Sequence, residues 1–289
     1  MKYEIETVEV KPLKRTPKDY HCNCDFCKPK TFRGVLIRPD GTPYSKLERR
    51  QYYNKQADLA HIAKTPLHVA RWCIQEFSKP KDWVLDPTIG VGTTAVEAMM
   101  LGRCAAGVEL EFAEYAQANV NYVWKEQGLP KSIQWNIVDG DARDIRKHLG
   151  RRKFGLIVNN PPYSGDQHQK IFGKPSTAFY LQQKGLGRMK ETPQYWDDIR
   201  QIYEDSLGML KAGGHFCIGV KDMVQNKAPY LLHKMYGEIL LGLGMEFVCM
   251  ALLPHYPPTL FMNTYNKRFP DLDIKVPAYQ TILVFRKEK

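Results

Sequence analysis

A short apolar run, a glycine loop and a helix of small side chains follow one another without a break in residues 83–101. The run Trp83-Val-Leu85 is typical of a buried strand, and alanines and methionines after Thr94 favour a helix. Gly90 and Gly92 lie between the two, where a loop without side chains lets a ligand approach the backbone. This order predicts a parallel βα unit with a ligand site at its loop, which excludes most other folds.

The same alternation of strand and helix continues on both sides of this unit. Strands are predicted at 104–108, before Gly140, at 154–158 and at 215–220, and helices at 65–79, 112–123, 196–210 and 230–241. Residues 247–253 and 280–285 are expected to form a closing antiparallel hairpin, and Gly213-Gly214 to end the helix before them. The pattern therefore predicts an α/β fold with a doubly wound, mostly parallel sheet and ligands at the carboxyl ends of its strands.

The chain divides by composition into two parts. We interpret residues 1–58 as an irregular, basic appendage and residues 59–289 as the main domain. The 43% hydrophobic and 25% charged residues fit a globular protein with a large core. Residues 165–194 are polar and without clear periodicity, which indicates a long functional loop and makes them a candidate target-recognition element.

Charge and cysteine usage limit the partners and the setting. The net charge is +11, and residues 1–55 hold 13 lysines and arginines against seven acidic residues. Such an excess favours a polyanionic partner through phosphate contacts. The sequence shows no signal peptide or membrane span, and its scattered cysteines do not resemble a disulfide framework, so we expect a reducing, cytoplasmic setting without membrane binding.

Acidic residues stand where a bound cofactor would need acceptors. Asp86 ends the first strand and can accept hydrogen bonds from an amine such as the ammonium group of methionine. Glu109, 17 residues after Gly92, ends the next strand and is placed to accept ribose hydroxyls. Asp141 can accept a bond from an exocyclic adenine amine, although an ordinary turn aspartate fits its position equally well. Thr93 and Thr94 are expected to cap the helix.

The sequence Asn160-Pro161-Pro162-Tyr163 follows the predicted strand at 154–158. The amine of a nucleobase is a poor nucleophile, and a catalyst gains by accepting its hydrogens and aiming its lone pair. Asn160 and the Pro161 carbonyl can do this, and Tyr163 can stack on a base turned out of its helix. The alternative is a proline turn without a catalytic role. The glycine loop that precedes this run in the sequence argues against that alternative.

Together, Lys64-Thr-Pro66 through Thr94, Glu109, Asp141 and the run 160–163 resemble the amino-methyltransferases that modify adenine N6 or cytosine N4 in DNA. The resemblance spans roughly residues 60–255. It implies the Rossmann-like methyltransferase fold, S-adenosylmethionine as cofactor and DNA as partner. It places Lys64 and Pro66 near the methionine carboxylate. The cofactor site implied by the resemblance is lined by Asp86, Pro87, Thr88, Gly90, Gly92 and Thr93, and its catalytic loop is Asn160, Pro161, Pro162 and Tyr163.

Asparagine as the first catalytic residue is similar to the adenine enzymes, since the cytosine enzymes typically have serine there. The leading hypothesis is thus a site-specific DNA adenine-N6 methyltransferase that flips its target base. The alternatives are cytosine-N4 transfer, guanine-N2 transfer in RNA, or a nucleic-acid-binding subunit that needs a partner, and a homodimer is also open. In contrast to the family, we expect no large C-terminal recognition domain, so the basic N-terminus, the 165–194 loop and residues 255–261 are the candidates to contact DNA.

The run His21-Cys22-Asn-Cys24-Asp-Phe-Cys27 holds three thiols and an imidazole within seven residues. Soft thiolates in a reduced protein suit a structural zinc ion bound by Cys22, Cys24 and Cys27. His21 or a distant residue would be the fourth ligand. Free surface cysteines explain the pattern equally well.

Overall fold

The computed structural model describes residues 3, 5–12, 24–27, 31–38, 49–59, 64–163, 192–225, 228–254 and 279–288. The strands in that part are β1 (Glu9–Lys11), β2 (Phe32–Ile37), β3 (Trp83–Asp86), β4 (Cys104–Glu109), β5 (Trp135–Asp139), β6 (Phe154–Asn159), β7 (Leu210–Val220), β8 (Met223–Gln225), β9 (Ala228–Tyr230), β10 (Met245–Pro254) and β11 (Tyr279–Lys287). The helices are α1 (Arg49–Tyr52), α2 (Lys55–Leu59), α3 (Leu67–Phe77), α4 (Thr93–Met100), α5 (Ala113–Glu126), α6 (Ile145–Leu149), α7 (Pro193–Met209) and α8 (Leu232–Gly242).

Nine of these strands form one sheet in the order β1-β2-β10-β11-β7-β6-β3-β4-β5. Strands β5, β4, β3, β6 and β7 run parallel, and β11 is antiparallel to both β7 and β10. The doubly wound, mostly parallel sheet and its C-terminal antiparallel hairpin are thus confirmed. The chain leaves β3 toward β4 on one side and returns to β6 on the other. In open α/β sheets ligands bind beside such a reversal, which lies here at the carboxyl ends of β3 and β6.

Apolar side chains cover both faces of the sheet, because successive residues of a strand point to opposite sides. Val84 and Leu156 pack in one buried cluster with residues of α3, α4 and α5. Leu85 and Ile157 pack in the other with residues of α6, α7 and α8. Near-continuous apolar strands are what a sheet buried on both faces requires. The rigid sheet then fixes the loops at its carboxyl edge.

Two described segments of residues 1–58, β1 and β2, belong to the sheet, so the expectation of an irregular appendage is wrong for these strands. Strand β2 runs parallel to β10, with Val35 opposite Leu252, and β1 pairs antiparallel with β2. Gly34 has a φ of 137°, and a Cβ there would lie 2.2 Å from the Lys11 carbonyl oxygen. Charged residues and nearby prolines hide this strand in the sequence, and its partner β10 is remote along the chain. A domain boundary after residue 58 stays a prediction.

A buried polar network attaches α1 to the main helices. Arg71 Nε lies 2.7 Å from Glu97 Oε2, and both side chains are fully buried. The hydroxyl groups of Tyr52 and Tyr53 donate to Glu97 Oε1 at 2.5 and 2.9 Å. Removing one partner of such a buried pair typically costs about 3–5 kcal/mol, because the other charge stays uncompensated. The network therefore anchors residues 49–53 beside the start of α4.

Two predicted features of the second half are placed differently from expectation. Gly213 and Gly214 lie inside β7 and do not end a helix, because α7 stops at Met209 and β7 begins at the next residue. Gly213 has a φ of 72° at the point where the pairing of β7 with β6 shifts register. Residues 165–191 of the predicted recognition loop lie outside the described residues, and Pro193 and Gln194 open α7. No helix among the described residues is long and apolar enough to cross a membrane.

Candidate cofactor and catalytic site

The glycine loop after β3 and the Asn160 loop after β6 are joined by one buried side chain. Asn159, the last residue of β6, donates from Nδ2 to Asp86 Oδ1 at 3.0 Å and to Thr88 Oγ1 at 2.8 Å. Its Oδ1 accepts a bond from the Tyr203 hydroxyl at 2.9 Å. Because parallel strands end at the same edge of a sheet, this bridge holds two motifs together that lie more than 70 residues apart.

Asp86 is buried and surrounded by donors. Thr94 Oγ1 donates to Asp86 Oδ2 at 2.6 Å, and the Thr88 amide donates to Oδ1 at 3.2 Å. Burial raises the pKa of Asp86 to about 6, although hydrogen bonds from Thr94 and Asn159 lower it. The carboxyl group is therefore mostly ionised at neutral pH, and a nearby cation would stabilise that form further.

The backbone of the glycine loop is left-handed at Gly90 and Gly92, with φ values of 56° and 87°. Gly92 is the N-cap of α4 and has no side-chain capping bond, so the predicted threonine cap is wrong. Thr94 donates to Asp86 instead, and Thr93 accepts from Arg49. Pro87 is buried beside them. The bonds of Thr93 and Thr94 thus hold the loop in place. Its glycines leave the backbone open to a ligand.

Glu109, at the end of β4, accepts a hydrogen bond from the glycine loop. The Gly90 amide donates to Glu109 Oε2 at 2.7 Å, and the amides of Glu111 and Phe112 donate to Oε1 at 3.1 and 3.4 Å. Burial raises the pKa of Glu109, while these backbone bonds lower it. The carboxylate therefore lies against the loop, where the sequence predicts it. Its binding of a ribose stays a prediction.

Asp141 is already paired with a cation. Its Oδ2 lies 2.6 Å from Arg143 Nη2, and Arg143 Nη1 lies 3.1 Å from Asp198 Oδ2 on α7. The hydrogen bonds from Arg143 hold the pKa of Asp141 below its usual range. An exocyclic amine bound at Asp141 would have to share the carboxylate with this guanidinium group. The turn and the predicted adenine contact are both compatible with this arrangement.

Arg49 connects the segment 64–66 to the glycine loop. Its Nη1 donates to Thr93 Oγ1 at 2.9 Å and to the Thr65 carbonyl at 3.4 Å, and its Nη2 contacts Asp58 at 2.6 Å. Lys64 Nζ lies 3.8 Å from the same aspartate. Pro66 precedes α3, and its carbonyl accepts the Val69 amide at 3.0 Å. No sequence pattern identifies Arg49, because a charged residue in a basic segment is usually solvated.

The side chain of Asn160 is oriented from the opposite end of the chain. Gln280 Nε2, on β11, donates to Asn160 Oδ1 at 2.7 Å. Asn160 Nδ2 is buried and has no hydrogen-bond partner among the described residues. A Cβ on Gly219 would lie 2.3 Å from Asn160 Oδ1, so a glycine on β7 is needed here. A carbonyl oxygen has two lone pairs, so one remains for a further donor.

Residues of three other elements support the rest of the loop. The Tyr195 hydroxyl, on α7, donates to the Pro162 carbonyl at 2.8 Å and lies 2.8 Å from the Tyr236 hydroxyl on α8. The Lys221 amide donates to the Tyr163 hydroxyl at 3.0 Å. Pro161 is buried. Sequence reasoning missed these tyrosines and Gln280, which lie in apolar helices and a strand without any local motif.

Two of the predicted zinc ligands also lie together. The sulfur atoms of Cys24 and Cys27 are 3.5 Å apart, and His233 Nε2 of α8 lies 3.2 Å from the first and 3.5 Å from the second. Cys22 and His21 lie outside the described residues. The distant histidine is the residue that the sequence did not identify.

Comparison with known proteins finds a family match in the first part of the chain. Residues 2–120 match the family described as DNA methylase. The match covers less than half of the chain, which is similar to the DNA methylases over that segment. It is 42% identical over 62 residues to the type II methyltransferase M.Cfr9I of Citrobacter freundii, which covers 22% of this chain and 20% of the relative. It is 32% identical over 91 residues to M.MthZI of Methanothermobacter thermautotrophicus, covering 31% of this chain and 25% of the relative.

The matched segments thus span a quarter or less of these two relatives, and the family match ends before Asn160. Among solved structures, a TehB-like SAM-dependent methyltransferase from Corynebacterium glutamicum aligns with 85% of this chain and 100% of its own. The sequence identity is 16% and the TM-score is 0.45. This likeness says nothing about the reaction. The match over residues 2–120 includes the glycine loop and Glu109, so it concerns the cofactor motifs.

Proposed function

We propose that this chain is an S-adenosylmethionine-dependent DNA methyltransferase that methylates the exocyclic N6 amine of adenine. The observation that carries the proposal is the Asn159 bridge, which fixes the Asn160 loop against Asp86 and the glycine loop. A methyl transfer needs donor and acceptor sites side by side, because the reacting atoms must meet in line. The match of residues 2–120 to DNA methylases supports the same reaction class.

The residues at the ends of β3 and β4 fit the cofactor. Asp86 is a buried carboxylate that gains a partner when an ammonium group binds, and the pKa of about 6 reflects its present burial. Gly90 and Gly92 leave the loop without side chains, and Glu109 offers acceptors at its edge. S-adenosylmethionine, when bound, supplies a sulfonium methyl group. Lys64, Pro66, Thr88 and Thr93 would complete the site around it.

Asn160 and the Pro161 carbonyl would accept the two hydrogens of the target amine. With its hydrogens so held, the nitrogen lone pair points away from the ring plane and toward the cofactor. Gln280 keeps the Asn160 oxygen, and not its nitrogen, in a fixed position. The amine proton leaves to solvent after transfer, so no carboxylate base is required. The Tyr163 ring would stack on the flipped base.

The choice of adenine rests on Asn160, since asparagine begins the catalytic motif of adenine enzymes in the resemblance described above. The net charge of +11 favours a nucleic acid partner. Cytosine N4 offers the same kind of amine to the same acceptors and is the second candidate. Guanine N2 in RNA is the third candidate. The alternative that is not an enzyme is a nucleic-acid-binding subunit that acts only with a partner protein.

Identification of the methylated nucleoside tests the proposal. The purified protein is incubated with methyl-labelled S-adenosylmethionine and either unmodified DNA or total RNA, and the nucleic acid is digested to nucleosides. Label in N6-methyldeoxyadenosine is expected, and it should form about 100- to 1,000-fold more slowly in a parallel reaction with Asn160→Ala. Label in N4-methyldeoxycytidine would overturn the choice of base, and label only in RNA would overturn DNA as substrate. DNA binding without any label would replace the enzyme by the partner-dependent subunit.

A further inference from the structure

Three ligand-type atoms converge on one point between the N-terminal segment and α8. Cys24 Sγ, Cys27 Sγ and His233 Nε2 are separated by 3.2–3.5 Å and all lie within 4.8 Å of one another. Zinc–sulfur bonds of about 2.3 Å and zinc–nitrogen bonds of about 2.0 Å at tetrahedral angles separate such ligand atoms by about 3.5–3.8 Å. The observed triangle is only slightly smaller, so one ion can reach all three atoms.

The cysteines do not form a disulfide, although they are close enough in sequence to be linked. A disulfide requires the two sulfur atoms to be about 2.05 Å apart, and they are separated by 3.5 Å. Cys27 and His233 are buried, and Cys24 is partly buried. A buried pair of thiols facing an imidazole nitrogen is a set of soft ligands held out of solvent.

His233 is oriented as a metal ligand would be. Its Nδ1 lies 2.5 Å from Asp222 Oδ2, and its backbone amide donates to Asp222 Oδ1 at 3.0 Å. A carboxylate on Nδ1 keeps the proton on that nitrogen and leaves the Nε2 lone pair facing the thiols. Metal-bound histidines almost always have such a carboxylate or carbonyl behind them.

We propose that Cys24, Cys27 and His233 bind one structural Zn²⁺ ion, with Asp222 orienting the histidine. Zinc suits two thiolates and an imidazole at three positions of a tetrahedral site, whose fourth position is left for a further ligand, and it has no redox chemistry of its own. On binding, each thiol releases its proton to solvent and donates a sulfur lone pair to the ion. Cys22 lies outside the described residues, and the three-residue set does not depend on it.

The proposed zinc site is connected to the proposed catalytic loop, residues 160–163, through two sets of contacts. Asp222 follows Lys221, whose amide contacts the Tyr163 hydroxyl. Tyr236, one turn after His233 on α8, contacts Tyr195, which holds the Pro162 carbonyl. The ion would therefore tie residues 24–27 to the two elements that support the loop. Zinc binding itself does not depend on the proposed function, whereas this supporting role does.

Metal analysis of the full-length protein tests the site without any assay of activity. Protein dialysed against metal-free buffer after purification is expected to retain about one zinc per chain by mass spectrometry. Cys24→Ser and His233→Ala should retain little zinc, and Cys104→Ser, a buried cysteine outside the cluster, should retain it fully. Absence of zinc from the wild-type protein after incubation with the metal, or full zinc content in both ligand variants, would overturn the proposal.

Two further measurements cover variants that fail to fold. Cobalt binding to the wild-type chain should give the intense absorption of thiolate ligands and a tetrahedral ion, and a weak octahedral spectrum would contradict the site. Asp222→Asn removes no ligand and should weaken zinc affinity about 10- to 100-fold. Unchanged affinity would contradict the role of Asp222. If zinc binds as expected but no nucleoside is methylated, the metal site stands and the proposed function fails.

Discussion

The two halves of the candidate site are built in different ways. In the cofactor half-site, residues 86–94 with Glu109, several bonds come from near neighbours in the chain, and Asn159 and Arg49 reach it across 73 and 44 residues. Thr94 bonds to Asp86 eight residues away, and Gly90 bonds to Glu109 across 19 residues. The target half-site, residues 160–163, is held by remote contacts instead. Gln280, Lys221 and Tyr195 reach it across 120, 58 and 33 residues.

This difference indicates which half can be changed independently. The cofactor half-site requires β3, α4 and β4, and it is also bonded to Asn159 of β6 and Arg49 of α1. A site supported by β7, β11, α7 and α8 requires the whole sheet and both layers of helices. Variants of the cofactor half-site should therefore alter binding of S-adenosylmethionine, whereas variants behind the target half-site should alter transfer and leave that binding intact.

The largest effect in the cofactor half-site is expected at Asp86. Asp86→Ala removes a charge-assisted bond to the cofactor ammonium, which is worth about 3 kcal/mol or about 100-fold in affinity. Titration calorimetry with S-adenosylmethionine measures this loss. Asp139→Ala, an exposed acid at the end of β5, two strands away from β3, is the control and should bind normally. Near-wild-type binding by a folded Asp86→Ala protein would remove Asp86 from the cofactor site.

The corresponding test in the target half-site is a pair of changes at Tyr163. Tyr163→Ala removes the stacking surface, which is worth about 1–3 kcal/mol per base, so kcat/KM for DNA should fall about 10- to 100-fold. Tyr163→Phe keeps the ring, loses the bond from the Lys221 amide, and should stay within about fivefold of wild type. Equal activity of the two variants would show that the ring does not contact the base.

A smaller effect is expected from Gln280, which positions Asn160. Gln280→Glu replaces the donor by an acceptor, so Asn160 would turn its amide nitrogen toward residue 280 and away from its proposed role as acceptor. We expect kcat to fall about tenfold, or about 1.4 kcal/mol, with the affinity for S-adenosylmethionine unchanged. Gln280→Met, of similar size and without a donor, should lie between Glu and wild type. Equal losses in both variants, matched by equal losses of thermal stability, would indicate a packing role only.

The smallest expected effect is the pH dependence of cofactor binding. Because the pKa of Asp86 is raised to about 6, its carboxyl group gains a proton as pH falls through that value. Affinity for S-adenosylmethionine should then be about fourfold weaker at pH 5.5 than at pH 7.5. Asp86→Asn should abolish this change, and an equal change in that variant would assign it to another group.

The contribution of Asp86 to folding stability has the opposite sign. A carboxyl pKa that is higher in the folded chain than in the unfolded chain means that the folded state binds the proton more tightly. The resulting stability is present below the unfolded value of about 4 and is lost as pH rises through about 6. Cofactor binding and this part of the stability should thus change in opposite directions between pH 5 and 7.

The sequence predicts the cofactor half-site better than the target half-site, because the contacts of the target half-site come from remote parts of the chain. Asp86, Gly90 and Glu109 follow strands whose order is evident from apolar runs, so their meeting at one edge of the sheet could be predicted. The bonds from Gln280 and Tyr195 could not, because nothing local in β11 or α7 distinguishes them from other buried residues. Asn159 is intermediate, since it lies between the predicted strand at 154–158 and the predicted motif at 160–163.

The structure of the N-terminal segment also depends on contacts with remote parts of the chain. Its charge and prolines indicate an irregular chain, yet β2 pairs with β10, and Arg49 reaches Thr93. Each of these contacts requires a partner whose position depends on the whole fold. In the Cys24–Cys27 run the sequence identified two thiols, and only the packing of α8 supplies His233.

The most direct test measures cofactor binding and methyl transfer in the same Asn160→Ala protein. Calorimetry gives the Kd for S-adenosylmethionine, and single-turnover transfer to DNA gives the chemical rate. We expect a Kd within about threefold of wild type and a rate about 100- to 1,000-fold lower, as for loss of one oriented polar group in other active sites. An unchanged rate would contradict the role of Asn160, and loss of cofactor binding would contradict the separation of the two half-sites.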